Sequence, residues 1–143
     1  MCRVIAVLLA VLAATSVQAG QTTVCTQKEA MQAEDEAARL PDWPAVYRSF
    51  TRFAQCDQGA IGEGYSDSIV RLLTQQWDQV AALQRLTARD KRFEQFVLRH
   101  IDALMTREDL RLIAENAQSR CPSKAKRLCR VIEGKLRLLQ NRS

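Results

Sequence analysis

The chain has 143 residues, of which 47% are hydrophobic and 26% charged, and its 21 basic and 16 acidic side chains give a net charge of +5. A chain of this length predicts one domain that is large enough to bury its own core. It contains no internal repeat, no low-complexity tract and no strand-like alternation of apolar and polar residues, which argues against repeat and sheet-based folds.

The first residues have the pattern of a secretory signal peptide. Arg3 supplies the positive start, Val4–Ala14 is an unbroken apolar run, and small residues precede a cleavage point after Ala19. The apolar run is too short to span a bilayer, which needs roughly 20 residues. The alternative is a buried N-terminal helix. We predict a signal peptide at residues 1–19 and a single exported domain at residues 20–143, with no membrane contact after cleavage.

Two helices are predicted at the front of this domain. Thr26 and Glu29 form a capping box that opens the first helix, which runs to about Arg39 with alanines on its inner side. After the break at Pro41, Asp42 caps a second helix. The apolar face of that helix is the most aromatic in the chain: Trp43, Val46, Tyr47, Phe50 and Phe53.

Four of the five cysteines follow the signal peptide. An even number in an exported protein predicts two disulfides, for which three pairings are possible. A tight turn between antiparallel helices would bring Cys25, before the first helix, next to Cys56, after the second. This geometry favours the pairs Cys25–Cys56 and Cys121–Cys129. A zinc site is the alternative, but the spacing lacks C-x2-C and the chain has one histidine.

The third predicted helix, within Cys56–Trp77, is the centre of the fold. Its apolar residues recur at helical spacing: Ile61, Tyr65, Ile69, Leu72 and Leu73. Gly59, Gly62 and Gly64 lie at its start, where each costs about 1 kcal/mol of helix stability relative to alanine. Glycines let another backbone approach closely, so we predict a packing or docking surface there. Their order does not match the dinucleotide-binding fingerprint.

Capping residues and apolar spacing predict four further helices. Their starts are marked by Asp78, Asp90, Thr106 and Ser123. The fifth helix carries an apolar stripe that includes His100 and continues to Leu104. To reach Cys129, Cys121 must fold back outside the last helix, which Pro122 permits. The predicted fold is all-α, a compact bundle of about six to seven helices stapled by disulfides.

The charges are unevenly distributed along the chain. Residues 20–70 carry four basic and eight acidic side chains, whereas residues 71–143 carry 16 basic and eight acidic ones. The segment 120–142 carries eight basic residues and one acidic residue, and such a helix can bind nucleic acid or an anionic membrane. Export argues against nucleic acid, and a solvated basic face is the simpler interpretation. The asymmetry could also steer a charged protein partner.

The sequence contains no motif for catalysis or for a cofactor. G-x-S-x-G and H-E-x-x-H are absent, and the cysteines are expected to form disulfides. Asp57, Glu63 and Asp67 gather at the start of the third helix. Paired carboxylates can cleave glycosides, but the helix dipole already explains negative charge at this position. His100 lies on an apolar stripe with no nucleophile apparent, which favours a core histidine. We predict a binding protein that is not an enzyme and has no cofactor or metal.

The run CDQGAIGEGYSD at residues 56–67, with Trp77 ten residues later, resembles the central signature of the Tai family, the immunity proteins against type VI secretion amidases. Two further stretches are similar to that family: FVLRHID at residues 96–102, and the Cys121-Pro122 and Leu128-Cys129 pairs near the end. Together these stretches cover most of the domain in the family's order.

The resemblance implies a periplasmic, all-helical protein, typically a homodimer, that neutralises peptidoglycan amidases injected by neighbouring bacteria. Its partner would be a cysteine–histidine amidase whose catalytic groove it occludes. We expect the partner-binding residues at the start of the third helix and in two turns: Asp57, Gly59, Gly62, Glu63, Gly64, Asp67, Arg89, Asp90, Thr106, Arg107 and Glu108. The alternative function is a periplasmic acid-stress-type chaperone or another helical binding protein.

Overall fold

A computed structural model describes residues 24–102 and 104–141. In this part of the chain there are seven α-helices and no strand, so the predicted all-α fold is confirmed. The helices are α1 (Gln27–Ala37), α2 (Trp43–Phe53), α3 (Gly59–Gln75), α4 (Val80–Arg89), α5 (Lys91–Arg99), α6 (Arg107–Ser119) and α7 (Lys126–Gln140). Three single 3-10 turns lie between them: Ala54–Cys56, Trp77–Gln79 and Ser123–Ala125. The predicted signal peptide lies outside the described residues.

Side-chain caps begin four of the helices as predicted. At α1, the Glu29 backbone N–H donates to Thr26 Oγ1 at 3.3 Å, and the Thr26 N–H donates to the Glu29 carboxylate at 2.9 Å. Asp42, Asp90 and Thr106 cap α2, α5 and α6 by accepting from backbone N–H groups of the first turn. Each cap satisfies a donor that the helix itself leaves without a partner.

The prediction that Asp78 caps the fourth helix is wrong. The residue before α4 is Gln79, which makes no side-chain capping bond, and Asp78 lies inside the preceding 3-10 turn. That turn is set by a distant contact, because the buried Trp77 donates its Nε1–H to the Arg120 carbonyl at 3.0 Å. Neither this turn nor α4 begins with a side-chain cap, so no residue in the sequence marks where α4 starts.

The prediction that the apolar stripe of the fifth helix continues to Leu104 is also wrong. The helix α5 ends at Arg99, and Leu104 is 92% exposed. Beyond the helix, the Asp102 carboxylate accepts the Leu104 backbone N–H at 2.8 Å. An Asp side chain that bonds locally to the backbone competes with helical hydrogen bonding.

The helices pack in a series that places α3 and α6 in the middle. The helix α1 packs against α2 and α3, α3 packs against α6, and α6 packs against α7. Between α2, α3 and α5 lies an aromatic cluster, in which Phe96 is 5.0 Å from Phe50 and 5.1 Å from Tyr65 by ring centroids. The acidic α1 and the basic α7 therefore stand at the two ends of this series.

Both predicted disulfides are present. Cys25 and Cys56 have Cα atoms 5.0 Å apart, and Cys121 and Cys129 have Cα atoms 6.3 Å apart. As expected, Cys121 lies before the last helix and outside it. The two bridges are compatible with an oxidising compartment. Among residues 24–102 and 104–141, no helix is both long and apolar enough to cross a membrane.

Candidate partner-binding site

A groove between α3 and the α5–α6 connection brings two of the predicted partner-binding regions together. It has a volume of about 490 Å³ and is lined by Glu63 and Asp67 from α3 and by Thr106 from the connection. Two more carboxylates, Asp102 and Asp109, also line it. We call this the acidic groove, because its basic lining residue, Arg71, already donates to the Leu40 carbonyl at 2.7 Å. Residues 40 apart in the chain thus form one surface.

The residues Leu104–Arg107 form a ridge beside the acidic groove. On the other side of the ridge lies a second groove of about 510 Å³, between α6 and α7. Its lining is mostly apolar, with two arginines: Met105, Arg107, Leu110, Arg111, Ala114, Leu136, Leu139 and Gln140. We call this the apolar groove. Met105 lines both grooves, so the ridge separates an acidic surface from an apolar surface that carries arginines.

A buried polar cluster lies behind the acidic groove and holds the base of the ridge. Ser66, which lines the groove, has its Oγ 2.9 Å from His100 Nδ1. The other ring nitrogen, His100 Nε2, faces Asp57 Oδ2 at 3.3 Å. Arg99 donates to the same Asp57 oxygen at 2.8 Å. The cluster therefore joins the end of α5, which precedes the ridge in the chain, to α3 and to Asp57 after Cys56.

The Asp57 carboxyl is held in its charged form by this cluster. Burial alone would raise the pKa of Asp57, but contacts with the His100 imidazole and the Arg99 guanidinium outweigh burial and lower that pKa below its ordinary value. From the sequence, the negative charge of Asp57 is explained by the dipole of the third helix. In the structure its partners come from α5, 42 and 43 residues away in the chain, as the Arg99 and His100 contacts show.

His100 is buried, as predicted, but the inference that no nucleophile type lies near it is wrong, since the Ser66 hydroxyl is in contact. Ser66, His100 and Asp57 are the residue types of a hydrolase triad. However, Ser66 lies inside α3 and also donates to the Gly62 carbonyl at 3.1 Å. Helical hydrogen bonds engage the backbone N–H groups around it, so they cannot stabilise an oxyanion. The geometry fits a clamp between α3 and α5.

The glycines at the start of α3 have different surroundings. A Cβ on Gly64 would lie 3.0 Å from both Ala37 Cβ and the Ala38 backbone nitrogen, so this glycine permits close packing of α1 on α3. Gly64 is buried there, which fits the packing alternative that the sequence offered for these glycines. Gly59 is exposed with φ +52°, a conformation that favours glycine. Gly62 adjoins Asp57, whose Oδ1 would be 3.2 Å from an added Cβ.

The remaining predicted residues are divided between the grooves and another turn. Arg107 lines the apolar groove, and Glu108 is exposed beside it and accepts from Arg111. Arg89 and Asp90 form the α4–α5 turn and line neither groove, and the Asp90 side chain is occupied as the cap of α5. Of the predicted set, Glu63, Asp67, Thr106 and Arg107 converge at the ridge.

Sequence reasoning missed Leu104 and Met105, the apolar residues of the ridge. Leu104 was assigned to a buried stripe because its spacing continued that of α5. A signal was nevertheless present, since these two residues directly precede Thr106, the cap of α6, and a residue before a cap lies outside the helix. Ser66 and Arg99 had no local signal, because their partners are distant in the chain.

No family model, no curated protein and no solved structure matches the chain. The described residues contain no group of three or more histidine, cysteine, aspartate or glutamate side chains that could hold a metal ion. The resemblance to the Tai family stays a prediction from the sequence.

Proposed function

We propose that this chain is a periplasmic immunity protein that binds a peptidoglycan amidase and occludes its catalytic groove. The observation that supports this most directly is the ridge, where Leu104 is 92% exposed beside the acidic groove and Met105 lines both grooves. A protein that blocks a cleft needs a projecting apolar side chain to fill it and flanking surfaces to contact its walls. The ridge and the two grooves supply these parts.

The ridge is held in place at both ends, which favours tight binding. At its start, the Leu104 backbone N–H donates to the Asp102 carboxylate at 2.8 Å, two residues after the clamp formed by Ser66 and His100. Its end is fixed by Thr106, whose Oγ1 donates to Asp109 Oδ2 at 2.6 Å and accepts the Asp109 N–H at 3.1 Å. A surface that is already ordered loses less conformational entropy when it binds than a flexible loop does.

The charges on the two flanks of the ridge indicate which charges the walls of the amidase cleft should carry. Glu63 and Asp67 in the acidic groove suit a basic wall, and Arg107 with Arg111 at the apolar groove suits a wall that carries carboxylates. The class of partner comes from the resemblance to the Tai family, and the two disulfides suit an exported protein. The homodimer implied by that resemblance is part of the proposal.

The test is binding to a type VI amidase effector encoded in the same genome. The chain is expressed with its own N-terminal segment, purified after export and titrated with the amidase, while peptidoglycan hydrolysis is followed. We expect one immunity chain to bind one amidase, and hydrolysis to stop at that ratio. The Leu104→Asp variant places a charge in the cleft and should weaken binding by at least about 100-fold, as for a hot-spot residue.

The matched control is Val24→Asp, which changes another exposed apolar residue, 80% accessible and distant in the chain from the ridge. It should bind the amidase like the parent. Equal weakening by both variants would show that the ridge has no special role. Absence of binding to every amidase of the genome would remove the immunity proposal, and suppression of client aggregation at low pH would then favour the chaperone.

A further inference from the structure

The two helices at the ends of the packing series carry opposite charges on their outer faces. On α1, Glu34 and Asp35 are exposed, and on α7, Arg130 and Arg137 are exposed. Asp35 pairs with Arg39 of its own helix at 2.9 Å, and Arg137 pairs with Glu133 at 3.7 Å. Glu34 and Arg130 form no ion pair with any described residue, so their charges are available to a partner.

Each outer face also exposes one large apolar side chain next to these charges. Met31 on α1 is 66% exposed, and Leu138 on α7 is 60% exposed. Met31 precedes Glu34 and Asp35 by three and four residues, and Leu138 follows Arg130 by eight. Residues at these spacings share one face of a helix. Both faces therefore combine an apolar contact with charge of one sign.

Gly134 lies on the same outer face of α7 and has no internal reason to be glycine. A Cβ built there would have only the Arg137 guanidinium within 4 Å, at 3.8 Å. Glycine weakens a helix relative to alanine, and it permits another helix to cross at short distance. The space above Gly134, between Arg130 and Leu138, is thus suited to a side chain from a second helix.

We propose that the outer face of α7 binds α1 of a second copy of this chain. Arg130 faces Glu34 of the second copy, and Met31 packs over Gly134 beside Leu138. Because the two surfaces differ, the contact is head-to-tail and adds copies in a row, unlike a two-fold dimer in which one surface meets itself. With α3 and α6 between them, both outer helices stay accessible. This contact does not rest on the amidase proposal.

An anionic membrane is the competing occupant of a basic helix. The α7 face is a poorer fit to lipid, because it offers one exposed leucine for insertion and a membrane gains nothing from an open glycine. The chain itself provides such a partner in the acidic α1, whose exposed Met31 lies three residues before Glu34. Charge complementarity therefore favours a second copy.

Sedimentation velocity of the exported chain tests the contact. At low salt, about 20 mM, the average sedimentation coefficient should rise with protein concentration beyond that of a dimer, and at about 500 mM salt this rise should be lost because charges are screened. Glu34→Lys or Arg130→Glu should each weaken association by at least about tenfold, since like charges then meet. The double variant that combines Glu34→Lys and Arg130→Glu exchanges the two charges, and it should associate again like the parent.

The matched control is Arg85→Glu, which reverses an exposed charge on α4 and should associate like the parent. The proposal is overturned by a monomer at every concentration, by species that stop at a salt-insensitive dimer, or by a double variant that stays as weak as the single ones. It is also overturned if the parent stays monomeric but binds phosphatidylglycerol vesicles and Arg130→Glu abolishes that binding.

Discussion

Two helix pairs in this molecule share a neighbouring disulfide and a helical glycine but differ in packing. The front pair, α1 and α3, and the rear pair, α6 and α7, each adjoin a disulfide, and the later helix of each pair contains glycine. Gly64 in α3 is packed against Ala37, whereas a Cβ on Gly134 in α7 would have only the Arg137 guanidinium within 4 Å. A helical glycine permits another helix to approach closely. For Gly64 that helix is α1 of the same chain, and for Gly134 we propose that it belongs to a second copy.

The largest expected difference between the two pairs concerns their disulfides. The Cys25–Cys56 bridge closes 31 residues and the Cys121–Cys129 bridge closes 8. Since a longer loop loses more unfolded-state entropy, replacing both front cysteines by alanine should lower the free energy of unfolding by about 4 kcal/mol, and replacing both rear ones by about 2.5 kcal/mol. Urea unfolding measures both, and an equal or reversed order would contradict loop entropy as the cause.

The buried carboxylates give the next contrast. Asp57 at the front contacts His100 and Arg99, and Glu94 near the rear pairs with Arg127, which is 37% exposed. Because one partner of Asp57, His100, is buried, whereas both partners of Glu94, Arg127 and Lys91, are more exposed, Asp57→Asn should cost about 2 kcal/mol of unfolding free energy at pH 7, and Glu94→Gln about 1 kcal/mol. Chemical unfolding of the two variants gives the comparison. Equal losses would show that the clamp contributes no more than a surface ion pair.

The same carboxylate predicts how stability changes with pH. The pKa of Asp57 is lower in the folded chain than its ordinary value, so its contribution is fully present above about pH 4 and is lost as the pH falls through the folded pKa. The difference in unfolding free energy between the parent and Asp57→Asn should therefore shrink over the range from about pH 4 downward. A difference that stays constant over this range would show that charge is not the cause.

A smaller effect is expected at the front glycine. Gly64→Ala gains helix propensity of about 1 kcal/mol but forces Ala37 and Ala38 away, and overpacking of this kind costs about 1 to 3 kcal/mol. We expect a net loss of about 1 kcal/mol in thermal or urea unfolding. A gain in stability would mean that α1 can move outward without cost, and the packing role assigned to Gly64 would be wrong.

The smallest effect, and the one with the opposite sign, is expected at the rear glycine. Gly134→Ala meets no atom of the surrounding core, so the monomer should gain up to about 1 kcal/mol from helix propensity. Unfolding in about 500 mM salt, where association is screened, isolates this gain. A loss of stability at Gly134 comparable to that at Gly64 would remove the contrast between the two helix pairs.

Helix number, most helix starts and both disulfides could be predicted from the sequence, because they depend on local signals. Thr26, Asp42, Asp90 and Thr106 cap helices in the structure as they do in the pattern. Asp78 and Ser123 misled the prediction because capping residue types also occur inside turns, and both lie in 3-10 turns before their helices. The sequence shows that Asp78 is a residue type that can cap a helix. The distant contact between Trp77 and Arg120 fixes the turn in which Asp78 lies instead.

The site was less predictable than the fold. Glu63, Asp67 and Thr106 were expected to bind a partner, but nothing local indicates that they share one groove. The contact between Ser66 and His100 joins residues 34 apart and depends on how α5 crosses α3. Leu104 was misplaced because apolar spacing shows which side of a helix is buried, and it does not show where that helix stops.

The order of the disulfides along the chain has a consequence for maturation. Among the described cysteines, the first pairs with the second and the third with the fourth. If the chain is exported from its N-terminus, as proposed, the first cysteine of each pair is followed directly by its native partner, with no other described cysteine between them. An oxidase that joins consecutive thiols during translocation would produce both correct bridges, and no isomerase would be needed to rearrange them.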